Sequence, residues 1–314
     1  MHLKNRLQLL LPSVLSCLSV FLSQFALLLV PLYFPFLSLL FMLAISGALL
    51  LAGAVFGKFC RRLLGISGSA VAFVFFTVLF VWGVYISVIR EGISPVKNVI
   101  INTEFALLVV GLYRIHHSDP GFVTTHRSSL DRADPNTHSA EGMLSESNGL
   151  PQKQCSKEIE RVRYCQICNA YIKGFDHHCP AFGNCIGQSN YLLFLVLLIG
   201  FIIVEVSYVQ CVSQFIVIRQ NILAIGLEMN ISNNLPVSTM LFSILQVPWQ
   251  VVFLVWHIYC IFGNIKTDEW INWKKYPEFQ FVVQPLSGHP FEVVRFKNPY
   301  DRGISWNVKE FLGY

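Results

Sequence analysis

Charge is scarce in this chain. Of its 314 residues, 13% are charged and 54% are apolar, whereas soluble domains carry about 25% charged residues. That shortage excludes an ordinary soluble enzyme. No charged residue occurs between Leu7 and Gly57. A cleavable secretory leader has an apolar core of only about 7–15 residues, so no cleavage is expected. No internal repeat and no pair of interrupted helices marks a transporter.

What fills the chain instead is a series of apolar runs, each near the ~20 residues that cross a bilayer. They lie at about 7–30, 35–56, 68–89, 98–113, 191–217 and 238–262, with Pro31 and Pro35 dividing the first two. With the N-terminus in the cytosol, 20 of the 23 lysines and arginines fall on the cytosolic side. Only Arg90, Lys97 and Arg219 fall opposite, a strong positive-inside bias. The net charge of +5 is therefore a topology signal, and no nucleic-acid partner is expected. Both termini and residues 114–190 are expected in the cytosol. The loops on the other side hold no cysteine, so no disulfide framework is implied. Glu104 and Glu205 lie inside spans, where an acid calls for an explanation. A paired or cavity-facing structural role is favoured over chemistry.

Between Cys165 and Cys185 stand four cysteines and the adjacent pair His177-His178. Cys165-x-x-Cys168 is half of a zinc site, and a structural zinc takes four ligands. Side chains at i and i+2 of an extended chain share a face. His178 can therefore turn to the metal while His177 and Cys179 meet on the other side. The metal set is then Cys165, Cys168, His178 and Cys185. A His and a Cys are left over as an activated thiol pair, with Asp176 placed to fix the tautomer of His177. Strict alternation puts Asp176 on the metal face, so a bend is required before His177. A knuckle that only holds a loop together or binds a partner remains the alternative on spacing alone.

Asp176-His177-His178-Cys179-Pro180, followed by Asn184-Cys185-Ile186-Gly187 and Asn190-Tyr191, resembles the DHHC-type protein S-acyltransferases (palmitoyltransferases). Asp119-Pro120-Gly121 after the fourth span resembles that family's Asp-Pro-Gly element. Thr267 and Glu269 resemble part of its Thr-Thr-x-Glu motif, with Lys266 in place of the first Thr. The tail from Asn298 to Gly313 resembles its C-terminal motif. The resemblance implies catalysis by Cys179, His177 and Asp176, with Thr267 against Asp176 and Asn307 as a structural hydrogen-bonding residue. It implies palmitoyl-CoA, or a similar acyl-CoA, as donor. The acceptors would be membrane-associated proteins with cytosolic cysteines. The bilayer would be that of the Golgi, endoplasmic reticulum or plasma membrane. The family's usual second zinc site would need ligands at Pro151, Gln154, Tyr164 and Tyr171. None can serve, so one structural zinc is expected.

The expected fold class is an all-α polytopic membrane protein of about six transmembrane helices. A small cytosolic zinc-bound loop of short β-hairpin character is attached. The layout is an extra transmembrane hairpin at 1–66, a pair of spans at 67–117, the Asp-Pro-Gly element with a flexible linker at 118–158, the cysteine-rich domain at 159–190, a second pair at 191–262 and a cytosolic tail at 263–314. A membrane scaffold whose zinc loop binds partners is the competing function.

Overall fold

The computed structural model describes residues 2–65, 68–123, 161–223, 231–283 and 293–313. The linker expected within 118–158 lies mostly outside them. The described part is mostly helical. Among the described residues six helical spans are long and apolar enough to cross a membrane: α1 (His2–Tyr33), α2 (Leu39–Leu64), α3 (Ala70–Val84) with the short helical turns that continue it to Gly92, α4 (Pro95–His117), α5 (Tyr191–Leu223) and α6 (Ile231–Phe262).

Local chemistry fixes their ends. α2 stops at Gly65, whose φ of 62° suits a residue without Cβ and whose N–H returns to the Arg61 carbonyl. α3 starts where the Ser69 hydroxyl accepts from the Ala72 N–H at 3.2 Å. α4 begins with Pro95, a residue already shaped for a first helical turn. The first turn departs from the expected break at Pro31. α1 runs through Pro31 to Tyr33, and the turn to α2 comes only at 34–38.

α5 packs between α4 and α6, and α1 packs against α3 and α6. α2 meets α1 and α6. The hairpin at the amino end is thus joined to the bundle along α6. The main core lies among α3, α4, α5 and α6 and includes Tyr85, Phe105, Ile115, Phe194 and Tyr208. It continues into Cys179, Phe182 and Ile186, which ties the cysteine-rich segment to the bundle.

That segment is two antiparallel hairpins, β1 (Val162–Cys165) with β2 (Ala170–Lys173), and β3 (His177–Cys179) with β4 (Asn184–Ile186). After α6 come α7 (Thr267–Asn272), a third hairpin of β5 (Gln280–Val283) with β6 (Val293–Phe296), and α8 (Ile304–Leu312). The tail reads in sequence as short amphipathic structure, which α8 matches. The β5–β6 hairpin is additional. Its core is Phe279 stacked on Phe296 at 5.9 Å.

Candidate active site and metal centre

The metal half is made by both cysteine-rich hairpins. Cys165 ends β1, and the Cys168 N–H points at its Sγ across the turn at 3.5 Å. Asn169 closes that turn at φ 52°. On the second hairpin His178 and Cys185 are direct cross-strand partners, so both side chains leave the same face. The four groups meet. His178 Nδ1 lies 3.9, 3.4 and 3.5 Å from the sulfurs of Cys165, Cys168 and Cys185. Cys168 and Cys185 are 3.3 Å apart. A tetrahedral zinc with bonds of about 2.0 Å to nitrogen and 2.3 Å to sulfur has N–S edges of about 3.5 Å and S–S edges of about 3.8 Å. Three thiols and an imidazole at these spacings fit it. Among the described residues it is the one group of three cysteines and a histidine. On the outer face, Tyr164 and Tyr171 pack at 5.1 Å, where the second ligand set was judged missing.

The other face carries the chemistry. His177 and Cys179 are the first and third residues of β3 and share a side. The bend required before them exists. Gly174 sits at φ 60° and Asp176 lies just before the strand, its N–H bonded to the Ile186 carbonyl at 2.8 Å. This frees its carboxylate to swing to the His177 side. That carboxylate is fully buried. Its Oδ2 meets His177 Nδ1 at 2.7 Å, and its Oδ1 accepts from the Thr267 N–H at 3.0 Å. The Asp176 carbonyl accepts from the Asp268 N–H. Thr267 therefore stands against Asp176 through its backbone, while its hydroxyl accepts from Trp256 Nε1 at 3.2 Å.

Electrostatics follow from these contacts. Burial alone raises the Asp176 pKa. The hydrogen bond and charge of His177, with His257 and Lys266, outweigh it and hold the carboxyl below its ordinary value. Burial lowers that of His177. The hydrogen bonds to Asp176 and Cys179, with their charges, reverse this and push it up to about 9.

Cys179 is buried, and the turn after it is tight. Gly183 donates to its carbonyl at 2.9 Å from φ 62°. A Cβ there would stand 2.6 Å from Val71. Asn184 fixes this turn to the end of α4 by donating to the Ile115 and Ser118 carbonyls, each at 2.8 Å. Asn190 holds the start of α5 through the Cys185 carbonyl at 2.9 Å. His116 is exposed, and its Nδ1 pairs with the Phe182 carbonyl at 2.8 Å.

Three residues escaped the sequence reading. His257 of α6 is fully buried, shares a hydrogen bond with the Tyr191 hydroxyl at 2.8 Å and stands 3.9 Å from Asp176 Oδ2. An ionisable residue inside a span was its signal. Arg161 and Lys266 sat in plain view as charges beside motifs. Arg161 clamps Glu269 with two hydrogen bonds, at 2.8 and 2.6 Å. Lys266, which stands in place of the motif's first Thr, lies over the Tyr191 ring at 4.8 Å. Asn307 is buried, receives the Arg302 N–H and donates to the Phe262 carbonyl at 2.6 Å, closing the tail onto the end of α6.

Beside Cys179 opens a cavity of about 260 Å³, walled by α3, α4, α5 and α6. Its walls are apolar near the cysteine, through Ala181, Phe182, Phe194 and Leu198. A buried thiol in the wall of an apolar chamber thus stands beside a half-buried imidazole paired with a buried carboxylate.

Comparison with known proteins agrees with these observations. Residues 147–274 match the family model of the DHHC palmitoyltransferase. "Palmitoyltransferase ZDHHC18-B" of Danio rerio is 28% identical over 113 residues, 35% of this chain and 28% of the relative. "Palmitoyltransferase ZDHHC18" of Homo sapiens is 29% identical over 133 residues, 40% of this chain and 33% of the relative. "Probable protein S-acyltransferase 6" of Arabidopsis thaliana is 22% identical over 238 residues, 70% and 53%. The chain thus covers between 28% and 53% of the length of these relatives.

Proposed function

We propose that this chain, whose residues 147–274 match the DHHC palmitoyltransferase model, is a protein S-acyltransferase working through an acyl-Cys179 intermediate. The observation that carries this reading is the Asp176–His177 pair set beside Cys179 at the opening of the apolar cavity. Cys179 sulfur attacks the thioester carbonyl of a long-chain acyl-CoA, such as palmitoyl-CoA. The new bond is Cys179 S–acyl, and the bond that breaks is acyl–S of CoA. His177 takes the thiol proton and returns it to the departing CoA sulfur. In the second half, His177 takes the proton of an acceptor cysteine, whose sulfur attacks the acyl carbonyl and releases Cys179. Asp176 fixes the ring of His177 and stabilises its charged form. The charged ring is the field a thiolate needs.

Cys165, Cys168, His178 and Cys185 would hold one zinc. Bound there, it supplies a cross-link between the two hairpins and positive charge near the site. Retention of Asp176, His177 and Cys179 together weighs against a scaffold, because a knuckle uses none of them. The acceptors would be membrane-associated proteins with cytosolic cysteines, and the site would face the cytosol at the membrane surface. The acyl chain lies in the cavity, where each buried CH₂ contributes ~0.8 kcal/mol. Purified protein given labelled palmitoyl-CoA should acquire a hydroxylamine-sensitive label. Cys179→Ser should lose that label, and His177→Ala should slow loading by about 10²–10⁴-fold. Label on Cys179→Ser as strong as on wild type rejects the nucleophile. No label on wild type leaves the scaffold as the better reading.

A further inference from the structure

The apolar cavity does not end in apolar residues. Its lining includes Glu205 and Tyr208 of α5, and Ser243, Gln246 and Gln250 of α6. Gln250 Nε2 donates to Glu205 Oε1 at 3.0 Å. Glu205 Oε2 and Gln250 Oε1 are both buried with no hydrogen-bond partner. Tyr208 is satisfied by Thr239 at 2.6 Å, so the unmet demand belongs to the acid–amide pair. Glu205 is eleven residues beyond Phe194 on α5, and the Phe194 ring packs on that of His177 at 5.5 Å. At the rise of a helix this puts Glu205 about 16 Å deeper than the reacting end. An acid is not retained in a span by packing alone, since its burial costs unless it is paired. Half of this pair is unpaired, and both residues belong to the lining of the chamber.

We propose that Glu205 and Gln250 form a distal hydrogen-bonding subsite of the acyl cavity, one that prefers an acyl chain with a hydroxyl at its far end to a methyl-ended chain of equal length. The proposal rests on the acyltransferase reading of Cys179. A methyl terminus that reaches the pair leaves both acceptors unmet. A terminal hydroxyl donates to one of them. Apolar pockets commonly take their selectivity from a few such placed polar groups. A site that bonds a hydroxyl discriminates against the analogue lacking it.

The test uses purified full-length protein and matched pairs of acyl-CoA donors from ten to eighteen carbons. The members of each pair differ only in an ω-hydroxyl, and loading of Cys179 is read as hydroxylamine-sensitive label. For short pairs the plain chain should load better, because the hydroxyl is then held against Phe and Leu. Once the chain reaches the pair, the ratio of hydroxylated to plain loading should rise by about two- to tenfold, the worth of one hydrogen bond. The Glu205→Leu, Gln250→Leu double variant should flatten that rise and load long plain chains better. Glu205→Gln, which keeps the floor polar, should retain the rise. A ratio independent of length, or one unchanged in the double variant, overturns the subsite while leaving the acyltransferase intact. No label from any donor overturns both.

Discussion

Arg161→Ala should open the joint between the cysteine-rich hairpin and the tail. Arg161 puts two charge-assisted hydrogen bonds on Glu269, whose side chain is 1% exposed. It also donates to Asn264 Oδ1 and to the Asn264 carbonyl, at 2.7 and 2.9 Å, and its guanidinium lies 3.9 Å over the Tyr300 ring. Removing one partner of a buried pair costs about 3–5 kcal/mol, because the other charge is left without its counterion. Arg163, 4.0 Å from Glu269 Oε1, softens this, and the Lys266 N–H bond at 2.9 Å survives. The expected loss is therefore about 3 kcal/mol, near the lower end. In native-state hydrogen exchange on the full-length protein, amides of β1 and α7 should then exchange roughly a hundredfold faster. Glu269→Gln leaves no orphan charge and should cost less. The double variant should be better than the sum of the singles by about 1–3 kcal/mol. Arg161 sits at φ 71°, so Arg161→Gly should be milder than Arg161→Ala by about 1 kcal/mol. Additive singles, or an Arg161→Ala change under about 1 kcal/mol, would refute the assignment of this pair as a buried, coupled joint.

Two further outcomes follow from the metal centre and the charge bias. His178→Ala and Cys168→Ala should lose zinc by elemental analysis and unfold the cysteine-rich region. His177→Ala should keep one zinc per chain, and a His177→Ala protein stripped of metal would reverse the assignment of the two histidines. A glycosylation acceptor inserted near residue 140 should stay unmodified, and its modification by lumenal enzymes would overturn the cytosolic placement.

What was legible in the sequence was what has a period or a spacing. Each apolar run is long enough to be seen alone, and the six helices fall where the runs do. The metal group was legible because alternation in a strand is a strict rule. His178 and Cys185 face each other across β3 and β4, and His177 and Cys179 share the opposite side. The bend at Asp176 was required by that rule. Its cause, Gly174 in a left-handed conformation, was not visible, because a glycine does not announce its φ. The β5–β6 hairpin was missed because it is held by Phe279 and Phe296, 17 residues apart, with no turn signal read between them.

The residues that escaped share a physical reason. His257, Arg161 and Lys266 act through partners distant in sequence, and only the fold brings those partners near. His257 meets Tyr191 across α5 and α6, and Arg161 meets Glu269 across 108 residues. In the sequence each is one charge or one imidazole without a neighbour. Glu205 is the converse. It was visible at once as an acid in a span, and a cavity-facing structural role was the reading given. The fold supplies the cavity and the Gln250 partner, and it leaves one oxygen of each residue unpaired. A structural acid in a membrane bundle should have both oxygens satisfied, since any unpaired one costs stability with no return. Glu104 Oε2 is bare as well, but of the two acids only Glu205 lines the chamber that holds Cys179, and that placement is what the proposed acyl-chain subsite rests on.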